Sequence, residues 1–167
     1  LVAILLGGLS SCNPEPAHPA WQSAFIGKSQ GMQPQWSEAS DTLRLQGHGK
    51  YLTDTRDDFT FAWKELHGNW EWQVLLQHLS EGTLAGVMVR EDTSRSARYF
   101  FAGTPGDGVL VIQARLDSAG PTYHPQPLRL GDPPLHVALD RLRGEAGNLQ
   151  VRNRTGFLQI LSFPDFG

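Results

Sequence analysis

The sequence predicts an all-β fold of antiparallel sheets, and three observations carry that expectation. No stretch beyond residue 20 has the length and apolar spacing of an amphipathic helix. Short apolar or alternating segments recur instead, separated by Gly, Asp and Pro. No strand-helix-strand rhythm or internal repeat points to a parallel sheet or a solenoid. At 167 residues, with 40% hydrophobic and 10% aromatic content, the chain can bury one substantial core. The 18 glycines and 11 prolines therefore read as turn chemistry and not as disorder.

The expected strands are Thr42–Gln46, Phe59–Glu65, Trp70–Leu79, Ala85–Arg90, Ala97–Ala102, Gly108–Leu116, Leu135–Asp140, Leu149–Asn153 and Phe157–Leu161. Alternate side chains on a strand point to opposite faces. Phe59, Phe61 and Trp63 therefore share a face, and Trp70, Trp72, Val74 and Leu76 form an apolar face opposite Glu71, Gln73, Leu75 and Gln77. The tryptophan-bearing face is expected in the core, with a ligand platform as the alternative. Trp21 and Trp36 fall outside these runs. Ala85, Val87 and Val89 oppose Gly86, Met88 and Arg90, while Val109, Val111, Gln113 and Arg115 form a face that turns polar toward its end. Residues Gly103-Thr104-Pro105-Gly106-Asp107-Gly108 supply the glycine and proline of a hairpin turn, without the Lys-Ser/Thr of a phosphate loop.

The N-terminus is organised differently. Leu1 to Ser11 is an uncharged apolar and small-residue run, shorter than the about 20 residues of a membrane-spanning helix. It ends at Cys12, the one cysteine of the chain, so neither an internal disulfide nor a zinc site of several thiolates is available. Leu9-Ser10-Ser11-Cys12 resembles the bacterial lipobox, which implies diacylglyceryl attachment at Cys12 followed by cleavage before it. Asn13 to Ala20, with Pro14, Pro16 and Pro19, reads as an extended tether. The expected organisation is a partial lipoprotein signal peptide at 1–11, a lipidated cysteine and tether at 12–20, and the sandwich at 21–167. The expected location is the bacterial cell envelope, anchored in a membrane by two or more acyl chains. Asn13 after the cysteine resembles outer-membrane sorting, facing the periplasm or the surface.

Fourteen Lys and Arg against 17 Asp and Glu lack the basic footprint of a nucleic-acid binder. A glycoside hydrolase needs two carboxylates about 5–10 Å apart, and no Glu-x-Asp-x-Glu run places them on one strand face. The six histidines, His18, His48, His67, His78, His124 and His136, have no metal-ligand spacing and read as surface or satisfied loop residues. No Gly-x-Ser-x-Gly element is present. Asp54, Asp57 and Asp58 read as a polar turn, with a calcium loop as the alternative. No other metal or cofactor is expected.

Asp57-Asp58-Phe59-Thr60-Phe61, Leu66-His67-Gly68-Asn69, Ala85-Gly86-Val87-Met88-Val89-Arg90-Glu91, Ala97-Arg98-Tyr99-Phe100 and Val111-Ile112-Gln113-Ala114-Arg115 follow one another in a family-like order. Over Trp21 to Arg115 the chain resembles a concanavalin A-like family. That family includes small bacterial proteins, the regulation-of-enolase type and C-terminal modules of some β-xylosidases. The resemblance implies a jelly-roll sandwich of two curved antiparallel sheets, with Arg90 and Arg115 toward the concave sheet. Gly68-Asn69 departs from the usual Gly-Asp, and the match weakens after Leu116. The end at Asp165-Phe166-Gly167 comes where a further closing strand is expected, so the expectation is either that the chain is truncated there or that its last strand is replaced.

The expected ligand contacts are Arg90, Arg115, Gln113, Tyr99 and Tyr123, because guanidinium and amide groups bond sugar hydroxyls or carboxylates and an aromatic stacks on a sugar ring. Pairing of the arginines with nearby Asp or Glu at the sheet surface is the alternative role. The function read from the chain is non-catalytic binding of carbohydrate or another envelope component. A glycan-acting hydrolase, with carboxylates brought together from separate strands, and a structural or protein-interaction module are the alternatives.

Overall fold

The computed structural model describes residues 2–3, 21–49, 51–53, 55–65, 69–77, 79–80, 82–105, 108–124, 127–129, 135–141, 147–152 and 158–163. These residues are all-β. The strands in chain order are β1 (Val2–Ala3), β2 (Gln22–Ile26), β3 (Gln30–Ser37), β4 (Thr42–His48), β5 (Tyr51–Thr53), β6 (Arg56–Trp63) and β7 (Trp70–Leu76). They continue as β8 (Ala85–Arg90), β9 (Tyr99–Thr104), β10 (Val109–Arg115), β11 (Leu128–Arg129), β12 (Leu135–Arg141), β13 (Gly147–Arg152) and β14 (Leu158–Phe163).

The large sheet runs β11-β10-β9-β8-β1-β6-β2, with β5 also paired to β6, and a second sheet runs β14-β13-β12-β7. β3 and β4 form a separate two-stranded ribbon. Pairing within the second sheet is antiparallel, as it is along β8-β9-β10-β11 and between β2 and β6. β9 and β10 form a hairpin in which Gly103 faces Val111. Gly108 closes it at φ 76°, a left-handed conformation that glycine adopts without a Cβ clash. This agrees with the hairpin expected there, although residues 106 and 107 lie outside the described residues.

The two faces of the large sheet are both buried, for different reasons. One face carries Val87, Phe100, Ala102, Leu110 and Ile112, which pack against Trp72, Val74, Leu76 and Val137 of the second sheet. This is a two-layer core, and at about 1.5–3 kcal/mol per fully buried large aliphatic or Phe side chain it is a main source of stability. The opposite face holds a second cluster of Ile26, Leu52, Phe59, Phe61, Met88, Tyr99 and Phe101. The even and odd positions of β8 divide between the clusters as alternation requires: Val87 joins the first and Met88 the second.

β1, β2, β3, β5 and β11 are absent from the expected strand set. β3 reads Gln-Gly-Met-Gln-Pro-Gln-Trp-Ser and is mostly exposed, so it carries no apolar alternation to reveal it. Its ladder with β4 shifts register between Met32 and Gln35, which lets Pro34, lacking an N–H, sit in a strand. The ribbon docks where Gly47 lies on Thr60 of β6, with no room there for a Cβ. Ser29 reaches the same place by a hydroxyl contact of 3.2 Å to Thr60. Trp21 joins the ribbon to the two-layer core, since its ring lies 5.6 Å from Trp36 and 6.2 Å from Trp72. The ammonium of Lys64 stands 4.9 Å from the centre of the Trp21 ring.

Candidate functional site

The polar site lies on the second face of the large sheet, at the end where β6 begins and β8 and β10 finish. Alternation on β6 places Asp57 on the face of Phe59 and Phe61. Asp57 is fully buried. It belongs to a strand, which corrects the expected polar turn. The turn reading began the strand at Phe59, whereas Asp57-x-Phe59-x-Phe61 continues the same two-residue period.

Two guanidinium groups neutralise this carboxylate. Arg115 donates from one nitrogen to Oδ1 at 2.7 Å and from the other to Oδ2 at 2.9 Å. Arg90 approaches Oδ2 at 2.6 Å. Arg115 also donates to the carbonyl of Ala97 at 3.1 Å, and Arg90 to the carbonyls of Asp92, at 2.7 Å, and Ser94. The Asp92 carboxylate accepts the Ser94 N–H at 2.7 Å, which shapes the loop supplying those carbonyls. Hydrogen bonding by Ser94, first by its side chain and then by this N–H, holds the Asp92 pKa below the ordinary 3.8.

Both arginines are interior residues: the side chains of Arg90 and Arg115 are 1% and 0% exposed. Their expected place at an open sheet surface is corrected, although their pairing with an aspartate agrees with the alternative role. Burial pushes the Arg90 guanidinium below its ordinary pKa, and the attraction of Asp57 opposes that shift. Tyr99 lies beneath both cations, with its ring centre 4.9 Å from the Arg115 guanidinium carbon and 5.8 Å from that of Arg90. The Tyr99 hydroxyl lies 3.4 Å from that of Thr122, and burial first of all raises its pKa above the ordinary 10.0.

Gln113 stands two residues before Arg115 on the same face and is 8% exposed. One end of its carboxamide, Nε2, meets Nδ1 of His124 at 3.1 Å, while Oε1 has no hydrogen-bond partner. Turning the amide over would exchange the atoms and still leave one end open. His124 is exposed, and beside it Tyr123 is 55% exposed. The backbone of Tyr123 pairs with Ala114, at 2.7 and 3.1 Å, and this bridge holds the 122–124 segment along β10.

The structure therefore divides the expected ligand residues. Arg90, Arg115 and Tyr99 join Asp57 in a closed brace, Gln113 meets His124 on the same face of β10, and the exposed Tyr123, paired with Ala114, belongs to the opposite face. Thr122 and His124 were not singled out from the sequence, because a loop carries no periodicity to assign its faces. Chemically, the brace commits both oxygens of Asp57 to cations, so this carboxylate is not free to act as an acid or base. Gln113 and His124 can donate and accept hydrogen bonds, and Tyr123 offers an aromatic ring on the other face of β10. Asp57 is likewise committed away from the expected calcium alternative, and Asp54 lies outside the described residues. Among the described residues no group of three or more His, Cys, Asp or Glu is placed to hold a metal ion. Cys12 lies outside the described residues, as do His18, His67 and His78. Comparisons with known protein families, with characterised proteins and with solved structures find no match to this chain.

Proposed function

We propose that this is a lipid-anchored protein of the bacterial cell envelope whose concanavalin A-like jelly roll binds carbohydrate without catalysis. Its contacts lie along the edge beside β10, Gln113 and His124 on one face and Tyr123 on the other, and the Arg90–Asp57–Arg115 brace holds the strands that present them. The observation that carries this reading is the Gln113 carboxamide, whose Oε1 is buried without a hydrogen-bond partner directly behind the exposed His124. A buried polar group without a partner is costly, and a sugar hydroxyl, both donor and acceptor, satisfies it in either amide orientation. Tyr123 supplies the apolar face on which a pyranose ring can stack. The two-layer core supports the sandwich, and the lipobox-like run supports the anchor.

The test is an array of bacterial surface and cell-wall glycans, probed with the wild-type chain, Tyr123→Ala and Gln113→Leu. Binding by the wild type that falls at least tenfold in each folded variant, about 1.4 kcal/mol of binding free energy, is the expected result. No binding, or binding indifferent to both substitutions, refutes it. Anchoring is read separately by metabolic labelling with a radioactive fatty acid in a bacterial host. Label incorporated by the wild type and lost in Cys12→Ser is expected.

A further inference from the structure

The large sheet contains a lane that its longer strands do not close. β6 and β8 are not direct neighbours; β1 lies between them. Val2 pairs with Thr60 on one side and Ala85 on the other, and Ala3 pairs with Phe61 and Gly86. β1 is two residues long, whereas β6 has eight and β8 has six. With β1 seated, the lane walls are interior, Thr60 at 0%, Phe61 at 7% and Ala85 at 1% exposure. Backbone N–H and C=O groups in such a position need partners, because water does not reach them to substitute. The residues that supply those partners begin the apolar run Leu-Val-Ala-Ile-Leu-Leu, which has no charge and no proline.

We propose that the lane between β6 and β8 is a strand-acceptor site whose ligand is an extended apolar peptide, and that the occupant is the chain's own N-terminal run at Val2–Ala3. Recognition is by strand addition, in which main-chain hydrogen bonds to both walls give affinity and small or apolar side chains satisfy the fit. The inference is independent of the glycan contacts, since it uses none of Gln113, Tyr123 or His124.

The experiment uses the full chain carrying Cys12→Ser, which blocks processing, and measures amide hydrogen exchange in segments covering 60–61 and 85–86. A Val2→Pro, Ala3→Pro variant loses both donor N–H groups of the occupant. Exchange in the two wall segments should rise at least tenfold while the segment around Ile112 in β10 keeps its protection. A synthetic peptide of residues 1–6, solubilised by C-terminal lysines, should restore protection to the variant. Unchanged exchange in the walls, or no restoration by the peptide, overturns the proposal. Should the proline variant fail to fold, a Val2→Cys, Ala85→Cys pair in the same Cys12→Ser chain decides the matter: a disulfide on mild oxidation supports the lane, and its absence overturns it.

Discussion

The guanidinium of Arg115 grips both carboxylate oxygens of Asp57, at 2.7 and 2.9 Å, although the two residues are 58 positions apart in the chain. With Arg90 on Oδ2 at 2.6 Å, this brace ties the start of β6 to the ends of β8 and β10. A buried ion pair of this kind carries a large desolvation cost, so its net contribution is small compared with the cost of breaking it.

Removing the carboxylate should therefore be severe. Asp57→Ala leaves two guanidiniums buried without their anion and is expected to cost about 3–5 kcal/mol of stability. Urea denaturation followed by tryptophan fluorescence checks this. A loss below about 1 kcal/mol would mean that the two cations find other partners or water.

Replacing Arg115 by lysine tests the geometry of the fork rather than its charge. Lysine keeps the cation but presents a single ammonium, which cannot reproduce the two parallel donations to Asp57 together with the bond to Ala97. Arg115→Lys is expected to lose about 2 kcal/mol or more. In a double-mutant cycle with Asp57→Ala the two losses should be strongly non-additive, because both substitutions break one interaction. Additive losses would show that Arg115 acts through its contacts with other groups.

The phenol of Tyr99 gives a pH-dependent signature. Its folded pKa is raised, principally by burial, so the folded state holds the proton more tightly than the unfolded state does. The corresponding stability is fully present below the ordinary 10.0 and is lost as pH rises through the higher folded value. Alkaline titration by phenolate absorbance should show a late component that coincides with unfolding and is missing in Tyr99→Phe. A Tyr99 that ionises with the exposed phenols, without loss of structure, would contradict the burial argument.

The contact between Gly47 and Thr60 predicts a localised overpacking defect. Gly47→Ala introduces a methyl group where the Thr60 side chain already lies, and is expected to cost about 1–3 kcal/mol. Adding Thr60→Gly should recover part of that loss by clearing the space, even though it gives up the hydroxyl contact with Ser29. Calorimetric melting of the single and double variants measures the recovery. Equal destabilisation with and without Thr60 would place the cost in the backbone of β4.

Much of the fold was legible because burial and strand period coincide. Trp72, Val74 and Leu76 are buried where alternation puts them, and Glu71, Gln73 and Gln77 are exposed. The strand Ala85–Arg90 has the boundaries expected of it. β1, β2, β3, β5 and β11 were not legible, since strands that are short or mostly exposed carry no apolar period. The site was legible in part: the face shared by Gln113 and Arg115 follows from β10, but the placement of Thr122 and His124 depends on a loop folding back along that strand.

The sequence by itself determined the all-β class, the faces of its clearest strands and the set of polar residues that the large sheet gathers. These are local properties, written in a two-residue period and in glycine and proline at the turns. Only the tertiary structure decided that Arg90 and Arg115 face inward, because their partner, Asp57, comes from a strand remote in sequence and no local pattern pairs one carboxylate with two distant cations. That same long-range pairing turned three expected ligand residues into a brace and left Gln113, against His124, and the exposed Tyr123 outside it.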